Sequence, residues 1–271
     1  MRSIGIVASV EERKRKTMRK GLLGRFLKIA IAIGGIGGTL MVLLKEMKPY
    51  KQQKDEEIEN VAPLADSHYR DYTKRLLDCI IAFFVLLVGA IPMGMVALFI
   101  KLDSPGPVFF RQERIGKAGK VFNILKFRSM CVNAEKQGSG VYSEKGDPRV
   151  TRIGRIIRAT SIDELPQMLN VLRGDMSLIG PRPPLTYHPW PIEEYTDEQL
   201  RMFEVRPGLT GWAQVHGRKH VEWHKRIELN VWYVDHVTFA LDLKIFFMTI
   251  FQVIANKDNV SIGATVKSQG K

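Results

Sequence analysis

Residues 79–100 hold 22 consecutive positions without a charge, rich in Ile, Leu, Val and Phe. About 20 apolar residues in a helix cross the hydrocarbon core of a bilayer, so a membrane-embedded helix is predicted over residues 74–101. Its flanks give no orientation. Lys74 and Arg75 precede the run and Lys101 follows it, so the usual excess of positive charge on one side is missing. Pro92 lies mid-run, where it removes one backbone hydrogen bond and kinks a helix. Basic ends with a central proline suit a helix that enters one leaflet and returns by the same face. A plain kinked span satisfies the same residues, and they leave both readings open.

The rest of the chain divides around that run. Residues 1–28 form a basic segment with nine Lys or Arg against two Glu, densest between Arg13 and Lys20. Residues 29–44 are uncharged but number only 16 and include Gly34, Gly35, Gly37 and Gly38, which makes a weak membrane segment, either a short span or an interfacial helix. Residues 45–73 are polar and unpatterned, a linker. Residues 102–257 read as a small α+β domain, and 258–271 as a tail. Strand-like stretches at 108–113 and 121–126 flank Gly116-Lys117-Ala118-Gly119, which predicts a β-hairpin. Residues 136–147 (KQGSGVYSEKGD) predict a mobile loop. Helical periodicity follows at 162–172, 197–205, 221–236 and 241–255. The last is nearly all apolar, with Phe246, Phe247 and Phe251, and predicts a core helix or one lying against lipid.

Composition narrows the partners. With 45% hydrophobic and 25% charged residues, wholesale disorder is excluded. Two cysteines, Cys79 and Cys131, exclude a disulfide scaffold and a four-cysteine zinc site. Lys and Arg total 41 against 28 Asp and Glu, and the net +13 calls for an anionic partner. Nucleic acid is disfavoured, because Arg13–Lys20 has no interleaved aromatics and no reader motif appears. Placed just before an apolar stretch, that cluster suits anionic lipid headgroups.

Three constellations have chemical content. Asp163 and Glu164 stand side by side near a predicted helix start. Helical neighbours point about 100° apart, so this pair suits two separate tasks, such as a nucleophile beside a metal ligand, and not one shared proton. The same residues fit a structural role: Ser161-x-x-Glu164 is a capping-box pattern, although Pro166 sits where an amide is needed. Next, Arg182 lies between Pro181 and Pro183, a stiff presentation of a guanidinium that suits phosphate but also an ordinary rigid turn. Third, Gly208, Gly211 and Gly217 punctuate the basic loop from Arg206 to Arg218, for close approach to an anion or for plain turns. His216, His220 and His224 are spaced four apart, but Gly217 interrupts the helix and Glu222 is misplaced for a zinc protease, so zinc is disfavoured.

Taken in order, these blocks resemble the bacterial sugar transferase family, the monotopic phosphoglycosyl transferases. The matching residues begin with Lys74-Arg75 and Asp78, then Pro105-Gly106-Pro107-Val108-Phe109-Phe110-Arg111-Gln112 and Lys126-Phe127-Arg128-Ser129-Met130. Asp147-Pro148-Arg149, Asp163-Glu164-Leu165-Pro166-Gln167 and the run from Gly174 to Pro183 follow. Pro207 to Arg218 and Leu241-Asp242-Leu243-Lys244-Ile245 complete the series. About two-thirds of the chain is covered, and residues 1–73 are not.

The resemblance implies transfer of a sugar-1-phosphate from a UDP-sugar to polyprenyl (undecaprenyl) phosphate with release of UMP, the first membrane step in assembling an exopolysaccharide, capsule or glycoconjugate. It implies that Asp163 is the nucleophile and that Glu164 holds Mg²⁺. Substrate contacts map onto Arg158, Arg182, Arg218 and Asp242, the last beside the pocket. It also implies that the helix rooted at Lys74, Arg75 and Asp78 and broken at Pro92 is re-entrant. Both its ends and the catalytic domain would then face the cytoplasm of a bacterial inner membrane. The expected partners are UDP-sugar, polyprenyl phosphate and membrane lipid, with no nucleic acid; a homo-oligomer is left open. Two positions depart from the family pattern: His216 stands where Asn is usual, and Asn230 where Asp is common. A tethered non-catalytic scaffold and a metal-dependent phosphatase are the alternatives from other classes.

Overall fold

A computed structural model describes residues 67–138, 140, 143, 146–216 and 222–254. The segments 1–28 and 29–44, nearly all of the linker 45–73, the tail 258–271, and both Arg218 and His220 lie outside the described residues.

After a π-turn at Tyr69–Thr73, helix α1 spans Lys74–Asp103 and stays helical through Pro92. Its buried positions, among them Asp78, Ala82, Leu86, Ala90, Met93 and Ile100, recur at intervals of three, four and seven, which on a helix marks one stripe. The other face exposes Ile80, Phe83, Phe84, Leu87, Val88 and Ile91. Tyr69–Asp103 is, among the described residues, the one helix long and apolar enough to cross a membrane, with a mean hydropathy of 2.6 in its most apolar window.

Both ends of α1 are tied to the domain that follows. At its start, Lys74 Nζ donates to Asp242 (2.6 Å), and the Arg75 guanidinium donates to the carbonyls of Val171 and Leu172. Asp78 accepts from Ser177 Oγ (2.7 Å) and Leu178 N (3.1 Å). At its end, buried Arg128 donates to the carbonyls of Ile100, Ser104 and Pro105, meeting the unpaired C-terminal acceptors of the helix.

The predicted hairpin forms. Strands β1 (Phe109–Ile115) and β2 (Val121–Phe127) pair antiparallel from Phe109↔Phe127 to Ile115↔Val121. Phe122, Ile124, Leu125 and Phe127 of β2 pack with the α1 stripe in the main core. Helix α2 (Arg152–Ala159) begins where Thr151 Oγ1 accepts from Gly154 N and Asp103 Oδ2 accepts from Ile153 N. Gly154 is required there, because a Cβ would come within 1.9 Å of Ser129 O.

The helix expected at 162–172 is divided into a 3₁₀ turn at Ile162–Gln167 and helix α3 at Met168–Arg173. Pro166 has no N–H to give to an α-helical ladder. Strand β3 (Ser177–Ile179) pairs parallel with β4 (Gly208–Thr210), in a sheet separate from the hairpin. The pattern at 197–205 becomes a short helix α4 (Asp197–Leu200), capped by Thr196 and Gln199, followed by a 3₁₀ turn. Helices α5 (Trp212–Val215), α6 (Trp223–Asp235) and α7 (Phe239–Ile254) complete the fold. α7 buries Ile245 against Val215 and Tyr233 but exposes Phe239, Phe246, Phe247 and Phe251, so it carries both expected faces at once.

The loop predicted to be mobile is fastened where it is described. Arg149 Nη1 lies 2.6–2.8 Å from the carbonyls of Ala134, Gln137 and Gly140, and the same guanidinium pairs with buried Asp147. One long cation collecting several carbonyls replaces the regular structure that the glycines forgo.

Candidate active site

The 3₁₀ turn after α2 projects Asp163 and Glu164 toward the hairpin. Glu164 opens on a cleft lined also by Arg114, Ile124, Lys126, Gln167 and Arg182. Lys126 Nζ on β2 donates to Glu164 Oε1 at 2.6 Å, and 30% of the Glu164 side chain stays exposed. The capping box is not made. Ser161 is left-handed (φ 58°) with no side-chain cap bond, and Glu164 reaches across to β2 instead. A non-glycine residue in that region costs about 1–2 kcal/mol, strain spent here to aim the pair.

The two carboxylates differ electrostatically. Burial pushes Asp163 up to about 6, against the pull of Lys126 and Arg158 and aided by the neighbouring Glu164 charge. Burial acts on Glu164 in the same direction, but Lys126, Arg182 and Arg114 together hold it below the usual carboxylate range. Asp163 has no hydrogen-bonded or ion-paired side chain among the described residues. Glu164 is ion-paired with Lys126, whereas the neighbouring Asp163 is offset by the charges of Lys126 and Arg158 without a side-chain bond.

The cations come from separate elements. Arg158 in the last turn of α2 acts on Asp163 through its charge. Arg182 is exposed on the loop after β3. Arg114 of β1 is half-buried, donates to Pro183 O (3.0 Å), and has its guanidinium pushed down to about 9 by desolvation and by Arg182. Its Nε has no partner. Arg114 and Lys126 carried no assigned role in the sequence. Lys126 stood in a block already singled out, and Arg114 lies four residues before the hairpin's Ala118, but only the pairing of the strands lets both line one cleft, opposite Phe110 and Phe122 respectively.

Asp242 does not line this cleft. It is buried beneath, where Oδ2 accepts from Tyr69 and Lys74 (2.7 and 2.6 Å) and Oδ1 from Tyr233 (2.7 Å). Lys74, Arg75 and Asp78 likewise bond within the domain, and Pro92 sits in the middle of α1. Charge links Asp163 to Arg158 and Glu164 to Arg182, Asp242 bonds to Tyr69, Lys74 and Tyr233, and Arg218 lies outside the described residues.

The glycines of the two loops serve approach of backbone to backbone. Gly180 N donates to Thr210 O (2.9 Å) and Gly208 N to Pro181 O (2.8 Å), and a Cβ on Gly208 would lie 2.1 Å from Gly180 N. His216 Nδ1 meets Trp212 O and its ring lies on Trp212, whereas His224 packs on Trp190. Among the described residues no group of three or more His, Cys, Asp or Glu is placed to hold a metal ion.

Residues 69–256 match the family model described as Bacterial sugar transferase. The chain is 45% identical over 184 residues to the Uncharacterized sugar transferase EpsL of Bacillus subtilis (strain 168), covering 68% of this chain and 88% of that protein. It is 46% identical over 186 residues to a UDP-glucose:undecaprenyl-phosphate glucose-1-phosphate transferase of Caulobacter vibrioides, covering 66% and 69% of the two chains. A protein of the same name from Escherichia coli (strain K12) is 39% identical over 205 residues, 73% of this chain but 44% of that one. A match that takes in α1, the hairpin and the whole Asp163–Glu164 cleft shows that this chain belongs to the bacterial sugar transferase family.

Proposed function

We propose that this protein transfers a sugar-1-phosphate from a UDP-sugar to undecaprenyl or a similar polyprenyl phosphate, with release of UMP. The names of the relatives from Caulobacter and Escherichia support the reaction class. The observation that carries it is the inequality of the two carboxylates: Glu164 is neutralised by Lys126, while Asp163 beside it is unpaired and mostly ionised at neutral pH.

In this reading a carboxylate oxygen of Asp163 attacks the phosphorus that bears the sugar. The bond from that phosphorus to the bridging oxygen breaks, and UMP leaves with the electron pair. The sugar phosphate stays on Asp163 as an acyl phosphate. A phosphate oxygen of the polyprenyl phosphate then attacks the same phosphorus and frees the Asp163 carboxylate. Arg182 and Arg158 face the diphosphate, and half-buried Arg114 adds a further positive charge beside them.

Magnesium fits the donor set. Mg²⁺ takes one or two carboxylates together with substrate phosphates and water. Glu164 would be its protein ligand, sharing its carboxylate between the ion and Lys126. When bound, the ion neutralises diphosphate charge and stabilises the departing UMP.

α1 is read as re-entrant, on the cytoplasmic side of a bacterial inner membrane. Its two ends supply polar groups to one domain: Lys74 and Asp78 to α7 and β3, Asp103 to α2. A helix spanning straight through would hold those ends in different compartments. Cysteine labelling at positions 72 and 103 should therefore report one face; labels on opposite faces would sink this placement.

The reaction itself is tested by incubating the protein with a panel of UDP-sugars and no lipid acceptor. About one equivalent of UMP per protein should appear, with phosphosugar retained on the chain. Release that requires lipid from the outset, with intersecting initial-rate plots, would mean direct transfer and remove the role of Asp163.

A further inference from the structure

The loop that presents Arg182 leaves a strand of three residues, two of which are held by Asp78 at the root of α1, while Tyr233 of α6 approaches the third. Asp78 accepts from Ser177 Oγ at 2.7 Å and from Leu178 N at 3.1 Å. The Tyr233 hydroxyl lies 3.3 Å from Ile179 O and 2.7 Å from Asp242 Oδ1. Asp242 in turn accepts from Lys74 and Tyr69. β3 has a single paired neighbour, β4, in a register of three residues, too little to hold its position alone. Past Gly180 the restraint comes from the catalytic domain, where Gly208 N donates to Pro181 O and Arg114 to Pro183 O.

We propose that Asp78 and Tyr233 are positioning residues for Arg182: through β3 they transmit the seating of the membrane helix to the guanidinium in the cleft. This rests on the reading of Arg182 as a diphosphate contact. The geometry favours it over mere anchoring. An anchor needs only a bond somewhere on the domain, yet the Asp78 bonds fall on Ser177 and Leu178, and the Tyr233 hydroxyl, whose one proton goes chiefly to Asp242, rests against Ile179 O; these are the three residues that precede Gly180-Pro181-Arg182. Burial raises the Tyr233 hydroxyl well above its ordinary range, so it remains a donor at any working pH.

The test is a double-mutant cycle on the full chain in membranes, read as kcat/KM for the UDP-sugar. Tyr233→Phe keeps the ring and should lower kcat/KM about five- to tenfold, with the melting temperature lowered by only a few degrees and KM for the polyprenyl phosphate unchanged. In an Arg182→Ala background the same change should cost less than about twofold, because the group it positions is gone. Asp78→Asn should repeat the pattern, and hydrogen exchange at the Leu178 and Gly180 amides should quicken in both variants. Penalties that multiply in full, or a Tyr233→Phe enzyme with wild-type kinetics, overturn the positioning role while leaving the proposed reaction in place. Wild-type kinetics for Arg182→Ala overturn the reading of Arg182 as a diphosphate contact, and the positioning proposal falls with it.

Discussion

Asp163 and Asp242 are both carboxylates in a chain with a large positive balance, and the fold treats them in opposite ways. Asp242 is 4% exposed and takes hydrogen bonds from an ammonium and two phenols. Asp163 is partly exposed, and the charges of Lys126 and Arg158 with one backbone hydrogen bond offset its burial without a side-chain partner. A buried charge with all its partners internal holds elements together, whereas one left short of partners at an opening is available to a ligand. Both aspartates belong to blocks shared with the sugar transferases, so the motif alone does not separate the two roles. Their hydrogen bonds do.

The largest expected effect lies on the open side. If Asp163 is the nucleophile as proposed, Asp163→Asn should lower turnover by about a thousandfold or more and abolish the lipid-independent UMP release. Its stability should stay within about 0.5 kcal/mol of wild type, since no side-chain bond is lost. A variant that kept turnover would end the distinction between the two aspartates.

On the closed side the effect should appear in stability. Asp242→Ala strands the Lys74 ammonium and two hydroxyls in a buried place, and loss of one partner from a buried pair costs about 3–5 kcal/mol. Thermal unfolding in detergent measures it. Full stability together with a raised KM for UDP-sugar would return Asp242 to the substrate site and break the comparison.

A smaller effect sharpens the cleft itself. Arg182→Lys keeps the charge but loses the planar fork, and should reduce kcat/KM about tenfold. Wild-type kinetics in that variant would take Arg182 out of phosphate recognition.

The smallest effect concerns a third aspartate, Asp147, a second closed case. Its hydrogen bonds with Arg149 lower its pKa from the ordinary 3.8 to about 2. A depressed carboxyl contributes stability that is complete above the unfolded value and is lost as pH falls through the folded one. Hydrogen exchange around residues 134–150 should therefore be unchanged between pH 7 and 5 at matched intrinsic rate, and should speed up only below about pH 4. A transition near neutral pH would show that some other group holds this loop.

What the sequence settled by itself was everything decided within one turn or one run. Twenty-two uncharged residues make an apolar helix wherever they sit, and alternation around Gly116-Lys117-Ala118-Gly119 makes a hairpin. The adjacency of Asp163 and Glu164 suggested two separate tasks, because helical neighbours point apart, about 100° in an α-helix and about 120° in the 3₁₀ turn that forms. The tertiary structure decided which partners those were. Lys126 claims Glu164 from 38 positions away, which undoes the local capping box, and Lys74 claims Asp242 from 168 positions away. Burial carried Arg114 to the back of the cleft and Arg149 through the expected mobile loop. Charge pairing acts through space, over a few ångströms in a poorly solvated interior, and sequence separation carries no record of it.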